Sequence, residues 1–125
     1  MNVHKQAMIA RTAQSEVIWR VVKLLKDILG ARLTAYLSGR DDVEVVNRWI
    51  SKKQIPSTVE EQRLRYGYWA AALVQAKFDA ETAIALFLGT AELLNDKAPA
   101  SWLRDHEEEK DLKLVVDDVW NFLYR

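Results

Sequence analysis

The chain has 125 residues, half of them apolar, and its eighteen Lys/Arg are matched by eighteen Asp/Glu. That length supports one good core and is short for two domains, and the balanced charge gives no overall field toward DNA or an anionic membrane. With no cysteine there is no disulfide framework, thiolate nucleophile or Cys-based metal site, so a reducing cytoplasm is the expected compartment.

The charge is unevenly spread. Met1–Arg32 holds six Lys/Arg against two Asp/Glu, and Asp105–Asp118 holds two against seven. The acidic run suits a helix N-terminus; the alternative is that the basic end meets an acidic partner and the acidic run a basic one. Neither a signal-peptide run nor a stretch of about 18 uncharged apolar residues is present, which predicts a soluble chain that stays out of the membrane.

Met1–Gln14 has weak periodicity and is expected to be a flexible arm. From Ser15 to Leu29, Val17, Val21, Leu24, Leu25 and Ile28 form a stripe of helical period, and Gly30 is placed to end it. Leu33–Pro56 reads as two short helices joined by a tight turn at Gly39, the layout of a helix-turn-helix. Leu33, Tyr36 and Leu37 mark the apolar face of the first, and Val43, Val46, Trp49 and Ile50 that of the second. Asp41 and Glu44 are spaced to cap the second helix, and Pro56 ends it.

Ser57 and Thr58, each followed three residues later by Glu60 or Glu61, predict the start of a long helix reaching Lys77. Asp79 caps the next, whose face is Ala80, Ala83, Ile84, Phe87 and Leu88, and Gly89 closes it. Leu93 and Leu94 are expected to point inward, Asn95-Asp96 to turn, and Pro99 to open a brief helix with Trp102 and Leu103. The last helix, Glu107–Tyr124, begins acidic and carries Leu112, Val115, Val116, Val119, Phe122 and Leu123 on its core face.

No strand-like alternation occurs. The prediction is an all-α fold in one compact domain: a flexible arm at 1–14, a helix-turn-helix part at 15–78 and a second helical part at 79–125 on one continuous core.

Catalysis finds little footing. His4 lies in the arm and His106 in an acidic run, neither spaced for a triad, and the four glycines form no phosphate loop. The expectation is a binding protein without a cofactor or metal. DNA contacts would come from Arg40, Asn47, Arg48, Lys52 and Lys53, in a homodimer because one short helix reads too few bases. Asp41, Asp42 and Glu44 oppose them at the start of the second helix. The tryptophans lie mostly on apolar faces and are expected in the core.

Two stretches resemble a known family. Leu29–Pro56, with LGARLTAYLSG and VVNRWISKKQIP, is similar to the degenerate Xre-like helix-turn-helix of the Xre/MbcA/ParS antitoxins. Ala83–Asp105, AIALFLGTAELLNDKAPASWLRD, resembles that family's toxin-binding segment, with Phe87, Leu94, Pro99 and Leu103 in the matching places. The similarity covers roughly Gly30 to Leu123; many members have glycine where this chain has Asn95-Asp96. The resemblance implies an antitoxin that neutralises a cognate toxin, commonly a RES-type enzyme that consumes NAD, and that in many members represses its own operon. It implies partner contacts at Leu94, Asn95, Lys97 and Pro99, and at Tyr124 and Arg125 near the toxin's active-site entrance, where the residues by themselves predict a frayed end. The alternative is a helix-turn-helix regulator without a toxin.

Overall fold

The longest helix starts where a reciprocal pair of hydrogen bonds fixes it. Ser57 Oγ accepts from the Glu60 amide at 3.1 Å, and the Glu60 carboxylate accepts from the Ser57 amide at 2.8 Å, so two otherwise orphaned donors are satisfied. The computed structural model describes residues 1–125 and is all-helical. Its elements are α1 (Val3–Ser15), α2 (Ile18–Leu29), α3 (Ala31–Ser38), α4 (Glu44–Ile50), α5 (Thr58–Lys77), α6 (Ala80–Leu88), a 3-10 turn (Glu92–Leu94), α7 (Pro99–Asp105) and α8 (Glu109–Tyr124). None is long and apolar enough to cross a membrane.

Helix α5 is the axis of the domain, packed by α1, α2, α3, α6, α7 and α8. It can be surrounded because it is narrow: Gly67, Ala70, Ala71 and Ala72 are all buried. At Gly67 a Cβ would stand 3.2 Å from Leu37 Cδ1 and 3.5 Å from Leu103 Cδ1, so the missing side chain is what admits α3 and α7 so closely. The long cations of α5 reach outward and donate to carbonyls at the ends of other helices. Arg63 donates to Ser38 O at 3.1 Å and His106 O at 2.9 Å, Arg65 to Ala13 O at 3.1 Å, and Lys77 to Leu123 O at 2.6 Å.

The expected flexible arm at 1–14 is a helix. Asn2 Oδ1 accepts from the Lys5 amide at 2.8 Å and caps α1, while Ile9 and Ala13 are its only buried residues. So small a contact face leaves almost no periodic trace, which is why the segment reads as irregular. The single helix expected from Ser15 breaks instead at Glu16 and Val17, both extended, and Val17 is exposed rather than part of the stripe.

The α3–α4 connection also departs from expectation. Gly39 does adopt the left-handed conformation at φ +104°, which favours glycine, and a Cβ there would lie 2.8 Å from Arg63 Nη1, so the guanidinium would have to shift. The link then continues through Val43, and no side chain caps α4. Asp41 pairs with Arg104 at 2.8 Å instead. Helix α4 packs chiefly on α2 rather than on α5.

Trp49 is buried, 1% exposed, as its place beside Val46 implies, but its indole N–H has no acceptor. Trp49→Ala is therefore expected to lower unfolding free energy by about 3–5 kcal/mol. Trp49→Phe should lose much less, because it removes a buried donor that gained nothing from a partner. Urea denaturation of both variants distinguishes the two contributions, and equal losses would show that the N–H is satisfied.

Candidate interaction surfaces

The five residues proposed for DNA surround α4, and four of them already have partners. Arg40 reaches Asp42 at 3.2 Å and Glu60 at 3.3 Å. Arg48 holds the other Asp42 oxygen at 2.9 Å and donates to Gln54 at 2.9 Å. Asn47 accepts from Lys26 at 3.1 Å, and the Lys52 ammonium lies 4.6 Å from the Trp19 ring centroid. Lys53 forms no ion pair. The structure thus brings Arg40 and Arg48 together, but around a carboxylate of their own chain. The hydrogen bond from Arg48 holds Asp42 below its ordinary pKa, and the bond to Glu60 chiefly raises that of Arg40.

The segment between α6 and α7 is an exposed turn with a built interior. Ala91 and Lys97 face each other across a two-residue bridge, the Ala91 amide donating to Lys97 O at 3.1 Å. The Leu94 and Asp96 amides both donate to Ala91 O at 3.0 Å. Asn95 and Asp96 have φ of +55° and +63°, left-handed values that these two residue types tolerate without glycine. Leu94 is sealed in the core and Pro99 is buried at the first position of α7. Both anchor the turn from inside, and neither side chain is displayed at the surface where partner contact was expected. Leu93, expected inward, is 44% exposed, and its amide donates to the buried Asp118 carboxylate at 3.2 Å. Glu92, Leu93, Asn95, Asp96 and Lys97 are the side chains this turn presents.

Tyr124 and Arg125 lie elsewhere, about 9 Å beyond Asp118 along α8 at 1.5 Å per residue. Tyr124 is not a loose end. Its hydroxyl accepts from Gln6 Nε2 at 2.6 Å, and its ring stands 4.5 Å from the Lys77 ammonium and 4.6 Å from the Trp120 ring. Trp120 itself is 43% exposed, against the expectation that the tryptophans are core.

Arg104 joins the two regions and was not singled out by any motif. Its guanidinium donates to Tyr36 O at 2.9 Å and Arg40 O at 3.3 Å, pairs with Asp41, and lies 4.6 Å from the Tyr36 ring centroid. Only its position at the end of α7, where a cation suits the helix dipole, hints at this from sequence. His106 stacks on Trp102 at 3.8 Å, and its Nδ1 lies 2.7 Å from Trp102 O. No three His, Asp or Glu side chains converge as a metal site requires.

No protein-family model, no curated protein and no solved structure matches the chain.

Two outcomes are expected from this geometry. Asp42 has a lowered pKa in the folded chain, and Asp79 likewise through its bonds to Thr82. Their contribution is present above the unfolded carboxylate pKa and is lost as pH falls through the lowered folded values. Urea midpoints taken from about pH 5 down to about pH 2 should fall, with a shallower acid slope for Asp42→Asn; an unchanged slope would locate the titration elsewhere. At the C-terminus, Tyr124→Phe should speed amide exchange in α1, whereas Arg125→Ala should change stability by less than about 0.5 kcal/mol. Equal protection of α1 in Tyr124→Phe would mean that Ile9 and Ala13 alone hold it.

Proposed function

We propose that this chain is an antitoxin-type interaction protein that binds and neutralises a partner toxin, acting in the cytoplasm and without chemistry of its own. The observation that carries the reading is the Ala91–Lys97 turn. It is exposed yet fastened by four backbone hydrogen bonds and the Asp118 carboxylate, and it displays a leucine to solvent. A loop ordered before binding loses little conformational entropy when a partner arrives. The resemblance of Ala83–Asp105 to an antitoxin's toxin-binding segment falls on this same turn and supports the partner being a toxin, of the RES type that consumes NAD. Tyr124 and Arg125 would then act at a separate edge of the contact.

Operator binding and self-repression draw less support from the geometry. Binding phosphates through Arg40 or Arg48 would exchange an internal carboxylate for an external anion, with Asp41, Asp42 and Glu44 left facing the DNA backbone. Homodimerisation is part of that second role.

Co-expression with the product of the adjacent open reading frame tests the main reading. The expected result is a complex that co-purifies and restores growth. Leu93→Asp should weaken that complex by about tenfold or more while leaving the helical circular dichroism intact. Absence of any complex, or a complex indifferent to Leu93→Asp, would remove the turn from the contact.

A further inference from the structure

Between α3 on one side and α6 with the start of α7 on the other runs an open apolar groove of about 570 Å³. Leu33 and Phe87 close it toward the core, and Tyr36, Leu88 and Ala98 stand along it. Leu88 is 63% exposed although Phe87 beside it is sealed. Apolar surface of this kind gains about 25 cal/mol for each Å² that a partner removes from water.

The groove also has a sign. Arg32 is the one charged side chain that lines it, is exposed, and forms no ion pair or hydrogen bond. By contrast Arg20, Arg40, Arg48, Arg65 and Arg104 each hold a carboxylate of the chain. Gly30 both ends α2 and precedes α3, so the opposed helix ends offset each other there and Arg32 is the charge at this end of the groove. An anion is favoured at this end of the groove and hydrocarbon along the rest.

We propose that the groove seats an amphipathic segment of the partner protein, an apolar helical turn whose flank carries a carboxylate that pairs with Arg32. The inference rests on the interaction-protein reading and names what the partner brings. Leu88 and Ala98 flank the presented turn in sequence, so one partner could engage turn and groove together. The groove is open along its length, which suits a helix laid into it; a small-molecule site encloses most of its ligand.

The test is titration of the ¹⁵N-labelled chain with a capped amphipathic helical peptide that has leucines at i, i+3, i+4 and i+7 preceded by two glutamates. A matched peptide with lysines in place of the glutamates, and decanoate, are the other arms. Amide shifts should concentrate at Gly30, Ala31, Leu88 and Ser101, with the glutamate peptide about fivefold tighter than the lysine one. Arg32→Glu should invert that preference, and Leu88→Asp should weaken both peptides about tenfold. Both residues are exposed, and the dispersion of the same spectra reports that the variants fold. The proposal is overturned by no shifts at these amides at millimolar peptide, by a charge preference that survives Arg32→Glu, or by decanoate displacing the peptide at lower concentration. It also fails alone if a complex with the neighbouring gene product forms and is unaffected by both substitutions. If peptide binds with the expected selectivity but no such complex forms, the groove stands and the toxin reading falls.

Discussion

The carbonyls left over at a helix C-terminus need donors, and α5 supplies them for four other helices. Arg65 serves α1 at Ala13, Arg63 serves α3 at Ser38 and the end of α7 at His106, and Lys77 serves α8 at Leu123. Each is a cation set against the negative end of a helix dipole, so charge and hydrogen bonding act in the same direction. The narrow middle of α5, around Gly67 and Ala70–Ala72, determines how near the neighbours come. The cations determine where those neighbours stop. The α3 edge of the groove and the last turn of α8 both inherit their positions from these constraints.

What the sequence made legible was whatever is completed within about four residues. The Ser57–Glu60 capping box, the Asp79–Thr82 cap and Pro99 at the head of α7 all lie where their local signals put them. Asp41 offers a local signal too, but Arg104, 63 residues away, takes its carboxylate. Helix α1 has no local periodic signature because two buried residues make no stripe; it is held by Ile9 and Ala13 against α5 and by polar contacts from Arg65 and Tyr124. In the candidate site the misreading of Leu93 has a similar origin. Adjacent leucines in a single 3-10 turn carry no periodicity, so nothing local says that Leu94 is the anchor and Leu93 the one displayed.

The two surfaces of greatest interest obtain their order differently. The Ala91–Lys97 turn is stiffened by its own backbone and by Asp118, so its shape does not wait for a partner. The groove is made by residues of α2, α3, α6 and α7 and keeps its form only as long as these helices stay in register. The hydroxyl contact between Tyr36 and Ser101, at 3.0 Å, ties α3 to α7.

Arg104 bears on how this protein can be divided. The boundary between a helix-turn-helix part and a second helical part is easy to draw on the sequence, yet this guanidinium sits across it, bonded to two carbonyls, a carboxylate and a ring of the first part. Neither half is a cassette. A chimera that grafts Ala80–Arg125 onto another helical scaffold would have to bring Tyr36, Arg40 and Asp41 with it, and a lineage exchanging either half would have to exchange that corner too. Recombination would thus be expected to keep the two parts together as a single unit of inheritance.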